Sequence, residues 1–181
     1  MKANHGVMIK PVSGLGWLRV LKLYYSAFPP SERKPFWIIF KMAIQGRSDV
    51  WCIRKEGRFV GFAATINAPK LVLLDYFAVA EHFRGMGVGT AALKELLSRY
   101  PALFVEIEGT WQPGEDLPQR QKRKAFYQAC GMEDLHVRAE VFGVNMELLG
   151  VNCSMDFDRY KAFYREHYNP WAAEHILPVE V

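Results

Sequence analysis

The sequence predicts an α/β (α+β) protein in which about seven strands are interleaved with helices, followed by a helical extension at the C-terminal end. Three observations carry this reading. An apolar strand at residues 71–79 runs through a glycine-rich turn into an amphipathic helix ending near Tyr100. Two further pairs of strand-like segments flank short turns at Glu56-Gly57 and at Gly143. Between them, apolar residues recur at helical spacing.

The elements follow in order. Residues 7–12 form a first strand, broken by Ser13-Gly14. Trp17, Val20, Leu21, Tyr24 and Phe28 mark a helix over 15–27, stopped by Pro29-Pro30. Ser31 is placed as N-cap of a second helix whose buried stripe is Phe36, Ile39, Phe40 and Ala43, and Gly46 ends it. Segments 49–54 and 58–67 form a hairpin, and Ala68-Pro69 turns the chain into the strand 71–79. After the glycine turn and its helix, Pro101 precedes a strand at 104–108. Residues 109–118, with two prolines, two glycines and Trp111, are a long loop, read either as a lid or as a surface insertion. Residues 119–129 are a helix whose start carries Arg120, Lys122, Arg123 and Lys124, read as a solvated charged face. A hairpin at 135–142 and 144–149 follows. A helix at 156–168 then presents an aromatic stripe, Phe157, Tyr160, Phe163, Tyr164 and Tyr168. This stripe is expected to pack on the domain, with a homodimer contact as its second reading. After Pro170 the tail is expected to be extended.

Composition narrows the function. At 181 residues the chain is long enough for one domain with a proper core. Half the residues are apolar, and no run reaches the ~20 residues of a membrane span. The first five residues lack the apolar stretch of a signal peptide, so a soluble, cytoplasmic protein is expected. Cys52, Cys130 and Cys153 are far apart and show neither zinc nor disulfide spacing, so no metal is expected. A net charge of +4 suits an anionic cofactor but falls short of a nucleic-acid binder. Neither a nucleic acid nor a membrane is expected as a partner.

The most informative residues are Arg84-Gly85-Met86-Gly87-Val88-Gly89-Thr90. Three glycines at alternate positions let the backbone take positive φ and approach a ligand closely. The turn opens a helix, whose first N–H groups have no intrahelical partner and carry the positive end of the dipole. That combination suits phosphate, and Arg84 adds a charge-assisted contact. A tight turn that binds nothing is the plainer alternative. A dinucleotide fingerprint fails because Thr90 stands where a third glycine is needed, although Glu106 lies near the distance of a ribose-binding acid. No Gly-Lys-Ser/Thr follows, which excludes a P-loop.

The turn resembles the acyl-CoA signature [RQ]-x-x-G-x-[GA] of the GCN5-related N-acetyltransferase (GNAT) superfamily. Arg84, Gly87 and Gly89 match it, and Phe77-Ala78-Val79 matches the strand end before it. About forty residues on, residues 124–132 resemble the family's F-Y-x-x-x-G-F segment, with Met132 in place of the usual aromatic. The likeness spans roughly residues 7–150. It implies a mixed, mostly antiparallel central sheet flanked by helices. A GNAT-like domain would occupy 1–150, with residues 151–181 packed on it. It also implies acetyl-CoA as acyl donor. Residues Phe77, Ala78, Val79, Arg84, Gly85, Met86, Gly87, Val88, Gly89 and Thr90 would contact it, the turn amides holding the CoA pyrophosphate. No Asn follows strand 104–108, where family members often carry one that touches CoA.

The implied reaction moves an acetyl group to a primary amine of a small molecule, amino acid or peptide by direct attack. The amine must lose a proton from a pKa of about 10.4, the carbonyl needs a donor, and the thiolate needs a proton. By resemblance, the Val79 N–H polarises the thioester and Tyr127 donates to the departing sulfur; a core aromatic with a satisfied hydroxyl is the competing reading of Tyr127. Asp75, four residues before Val79 on the same strand face, is a candidate base. Glu106 and Glu108 are the alternatives, and each of the three is alternatively an ion-pair partner or a contact for the acceptor's ammonium. The junction of the first two helices borders the acceptor site in the family, which makes Phe28, Glu32 and Arg33 acceptor contacts; a packed Phe and two solvated charges is the competing reading. Outside enzymology, the same residues suit a non-catalytic acyl-CoA-binding or sensing domain.

Overall fold

The computed structural model describes residues 6–179. They run β1 (Val7–Pro11), α1 (Gly16–Ala27), α2 (Phe36–Ile44), β2 (Val50–Lys55), β3 (Arg58–Asn67), β4 (Val72–Val79), α3 (Val88–Arg99), β5 (Leu103–Glu108), α4 (Leu117–Ala129), β6 (Glu133–Val141), β7 (Val144–Val151), α5 (Phe157–His167), α6 (Pro170–Glu174) and β8 (Ile176–Pro178). The fold class is the expected one: a mixed α/β chain whose strands pair mostly antiparallel and are flanked by helices. The chain divides into two compact units. One takes in the described residues through 67 together with Leu74–Tyr100; the other takes Ala68–Leu73 and the described residues from Pro101 onward.

In the first unit the strand order is β1-β2-β3-β4. Ile9 lies opposite Ile53, and Cys52 opposite Phe62. The β2–β3 turn has positive φ at both Glu56 (51°) and Gly57 (79°), the geometry that matches strand twist in a two-residue hairpin. Gly61 is required by a close approach: a Cβ there would collide with the carbonyl oxygen of Ala78 on β4. Strand residues two apart share a face. Val50 and Cys52, Phe62 and Ala64, and Tyr76 and Ala78 therefore pack together with Val20 and Tyr24 of α1 and Ile39 of α2.

The second helix starts later than the sequence suggests. Residues Pro30–Glu32 make one 3-10 turn, and Pro35, not Ser31, occupies the N-cap position of α2. Proline disfavours helical geometry in the residue before it, so a helix begun at residue 31 would have to cross an unsuitable Lys34.

In the second unit the order is β5-β7-β6-β8, with Ile107 opposite Glu147. β6 and β7 turn at Phe142-Gly143, again with both φ values positive (49° and 83°). Asp156 caps α5 by accepting from the Arg159 N–H at 2.8 Å. α5 lays Phe163 edge-on to Phe104, with ring centroids 5.1 Å apart. The tail is not simply extended. Asn169 accepts from the Ala172 N–H at 2.8 Å and Pro170 opens the short helix α6, after which β8 pairs with β6, Ile176 facing Val141. This strand is an eighth, one more than the seven read from the sequence.

Candidate active site

β4 ends at Val79, and a 3-10 turn over Glu81–Phe83 delivers the chain to the glycine segment. Gly85 and Gly87 both take left-handed backbone geometry, with φ of +74° and +75°. Alternating left-handed residues turn successive N–H groups toward one side, which makes a nest for an anion. Gly87 is the N-cap of α3 and no side chain caps that end. Among the described residues, the amides of Gly85, Met86, Val88, Gly89 and Thr90 donate to no backbone carbonyl. Ala91 is the first to do so, to Gly87 O at 3.0 Å. Val88 is buried and anchors the helix start, whereas Arg84, Gly85, Met86 and Gly87 are exposed. The cradle is one residue shorter than the motif, because the Arg84 N–H donates to Glu81 O at 3.0 Å. The Arg84 side chain folds back so that Nε donates to Val79 O at 3.0 Å. This joins the turn to the strand end Phe77-Ala78-Val79, whose even-numbered Ala78 points into the core while Asp75, Phe77 and Val79 share the other face.

The candidate acceptor residues lie in the same unit. Phe28 packs edge-on to Tyr76 at 5.0 Å and against Tyr24 at 5.7 Å. Tyr24 and Tyr76 set the α1–α2 junction. The Tyr24 hydroxyl donates to Lys34 O at 2.8 Å and meets the Tyr76 hydroxyl at 3.2 Å. The Tyr76 hydroxyl donates to Glu32 O at 3.0 Å and accepts from the Lys34 N–H at 3.2 Å. Burial pushes both phenols up from their ordinary range, with the neighbouring Asp75 charge adding to the rise, so both stay protonated. The Lys34 ammonium reaches Asp75 at 2.6 Å, and that carboxylate is almost wholly buried. Arg33 lies over the Tyr25 ring at 5.1 Å rather than standing free in solvent. Sequence reasoning missed Lys34, Tyr24 and Tyr76, whose contacts with one another and with Asp75 span 10 to 52 residues. No local pattern reports such contacts.

In the second unit the Tyr127 ring is buried near the C-terminal end of α4, and burial pushes its hydroxyl up to about 12. Among the described residues that hydroxyl makes no hydrogen bond, in contrast to the satisfied hydroxyl of an ordinary core tyrosine. Glu106 accepts from the Tyr160 hydroxyl at 2.8 Å and from the Tyr164 hydroxyl at 2.9 Å, one on each oxygen. Glu108 pairs with Arg123 at 3.0 Å.

Of the four basic residues at the start of α4, Lys122 is exposed, but Arg120, Arg123 and Lys124 are engaged within the protein rather than forming a solvated face. Arg120 is buried and donates to Gly109 O, to Gln112 O at 3.1 Å and to Asp116 at 3.1 Å, stapling the 109–116 loop. Lys124 bonds Asp134 at 2.9 Å and the fully buried Glu147 at 2.6 Å. Arg138 grips Asp134 through two nitrogens and lies over the Trp111 ring at 5.4 Å. Trp111 itself folds onto Gly109, where any Cβ would collide with the ring. The loop is thereby pinned to its own unit. Among the described residues no His, Cys, Asp and Glu are grouped to hold a metal ion, and no helix is long and apolar enough to cross a membrane.

The sequence profile of the acetyltransferase (GNAT) family matches residues 17–132, more than half of the chain. The chain belongs to the GNAT family. A comparison with curated protein sequences finds no match. Solved structures agree on the fold. A GNAT-family protein from Bacteroides thetaiotaomicron superposes with a TM-score of 0.74 at 17% identity, covering 88% of this chain and 98% of its own. A GNAT acetyltransferase from Elizabethkingia anophelis with acetyl-CoA bound gives 0.55 at 15% identity, covering 82% and 99%. Arabidopsis thaliana Naa50, in complex with the bisubstrate analogue CoA-Ac-MVNAL, gives 0.63 at 14% identity, covering 82% and 99%. At these identities each shows that this GNAT chain shares the fold.

Proposed function

We propose that this GNAT protein is an acetyl-CoA-dependent N-acetyltransferase that acts on the primary amine of a small molecule, amino acid or peptide. One observation carries the reading: the N–H groups of Gly85, Met86, Val88, Gly89 and Thr90 bond to no backbone carbonyl among the described residues, at a turn with left-handed Gly85 and Gly87 where α3 starts. A diphosphate supplies the acceptors those groups lack. The GNAT relative that carries acetyl-CoA and the one that carries a CoA–peptide analogue support the choice of acyl donor and of an amine acceptor.

In this reading the amides of Gly85, Met86, Val88, Gly89 and Thr90 hold the diphosphate, and the terminal nitrogens of Arg84 add to its charge balance. The Val79 N–H stabilises the oxygen on which charge develops. The acceptor amine attacks directly, its proton leaving to water or to a carboxylate. Tyr127 hydrogen-bonds the departing thiolate. Its hydroxyl at about 12 is a weaker acid than a thiol at about 8.5, so full transfer would be uphill by ~3.5 units, about 5 kcal/mol. Tyr127 therefore acts by hydrogen bonding, and water completes the protonation. Among the candidate bases, Glu106 and Glu108 are better read as structural anchors, given their tyrosine and arginine partners. Asp75 is the carboxylate we assign to the reaction, held in place by its pair with Lys34.

The test is an acetyl-CoA-coupled screen of amines, amino acids, polyamines and peptides, read by release of CoA thiol. Turnover with at least one class supports the reading. The engagement of all three carboxylates favours a second one, an acyl-CoA-binding domain without catalysis. Tight CoA binding with no turnover across the panel would select it.

A further inference from the structure

We infer that the outer faces of α1 and α2 form a docking surface for an anionic lipid membrane. Six of the eleven large apolar side chains exposed among the described residues fall on this segment: Leu15, Leu18, Tyr25, Trp37, Phe40 and Ile44. Trp37 is 63% exposed and Ile44 70%. On α2, Trp37, Phe40 and Ile44 recur at i, i+3 and i+7, so they share one face. Trp17 of α1 meets Phe40 edge-on at 4.8 Å, and on α1 the exposed Leu18 and Tyr25, seven residues apart, share one face. The opposite face of α2, with Ile39 and Met42, is already buried in the core. A helix apolar on both faces requires a second environment for its outer one.

Charge selects that environment. Between residues 13 and 48 the sequence has six basic side chains, Arg19, Lys22, Arg33, Lys34, Lys41 and Arg47, and one acid, Glu32. With Lys34 set aside because it pairs with Asp75, the excess of four equals the +4 of the whole chain. A second copy of this chain meeting the face symmetrically would set this excess against itself. An acidic polypeptide without apolar side chains would satisfy the charge but make no use of Trp37 and Ile44. A lipid surface uses both: the apolar side chains enter the acyl boundary, while the exposed Lys22 and Lys41 extend to the headgroups. The expectation of no membrane partner rested on the absence of a spanning segment, which a surface contact does not require.

Co-sedimentation with vesicles tests this. Vesicles of phosphatidylcholine with about 30% phosphatidylserine should bind the full chain at least tenfold more strongly than phosphatidylcholine alone, and salt should weaken the binding. Trp37→Ser with Ile44→Ser, and separately Lys22→Glu with Lys41→Glu, should each lower binding by about tenfold. The melting temperature and acetyl-CoA binding of both double variants should be unchanged, since all four residues are exposed and outside the candidate site. Equal binding to the two vesicle types would overturn the inference, as would binding that survives the loss of Trp37 and Ile44. Competition by polyglutamate that is indifferent to the apolar variant would reassign the face to an acidic polypeptide. Sedimentation velocity showing a dimer dissolved by the apolar variant would reassign it to self-association.

Discussion

The side chain of Arg84 donates from Nε to the carbonyl oxygen of Val79 at 3.0 Å, tying the glycine turn to the end of β4. Among the described residues the two terminal nitrogens of Arg84 make no hydrogen bond, so a two-pronged donor remains for phosphate oxygens. Arg84→Ala should raise the Kd for CoA by about tenfold to a hundredfold, because hydrogen bonds to charged groups contribute about 1.5–3 kcal/mol. Arg84→Lys should restore little, since lysine reproduces neither the Nε bond nor the fork. Titration calorimetry reads both.

The left-handed glycines make a second prediction. Gly87→Ala and Gly85→Ala should each cost about 1–2 kcal/mol of stability in denaturant titration, the penalty of a Cβ at positive φ. Both should weaken CoA binding as well, because relaxing φ turns the adjacent amides away. At Gly85 nothing lies within 4 Å of an added Cβ, so conformation alone sets the cost there.

Tyr127→Phe should lower kcat by about a hundredfold with little change in KM for acetyl-CoA. Because the hydroxyl is pushed up to about 12, the wild-type kcat profile should show no tyrosine limb below about pH 11. The same shift affects stability. The folded value lies above the unfolded value of about 10, so the contribution is complete below pH 10 and is lost as pH rises toward 12. Base-induced unfolding should therefore move to higher pH in Tyr127→Phe.

Glu106 separates an anchor from a base. Glu106→Gln removes one acceptor from the pair of bonds made by Tyr160 and Tyr164. It should destabilise the protein by about 1–3 kcal/mol and change kcat by less than about threefold. Asp75→Asn should lower kcat by about a hundredfold, in addition to the stability it loses with the Lys34 ion pair. Melting curves and steady-state kinetics on the two variants distinguish the roles.

Asp134 should set the acid limb of stability. Burial would raise its pKa, but the bonds from Arg138, Lys124 and the His136 N–H outweigh burial and hold it well below the usual carboxylate range. Its contribution is present above the unfolded value of about 3.9 and is lost as pH falls below that toward the folded one. Asp134→Asn should flatten the stability profile between about pH 5 and pH 2, followed by circular dichroism.

What could be read from the sequence was what local chemistry determines. Alternate glycines after an apolar strand identified the turn, because backbone freedom and helix-end amides are properties of adjacent residues. The hairpins at Gly57 and Gly143 were legible for the same reason. The α4 face was misread because the carboxylates that neutralise it, Glu108, Asp134 and Glu147, come from three strands. The fate of Asp75 and Glu106 depended on Lys34, Tyr160 and Tyr164, more than forty residues away in each case. The helix at Pro170 could have been found, since Asn169-Pro170 is an N-cap followed by a first-turn proline. Pro35 gave a similar warning against a helix start at Ser31.

The measurement that bears most directly on the central claim is the amide NMR spectrum of the protein as CoA is added. The N–H resonances of Gly85, Met86, Val88, Gly89 and Thr90 should shift downfield together as the diphosphate engages them. CoA binding that leaves those five resonances in place, while others move, would contradict it.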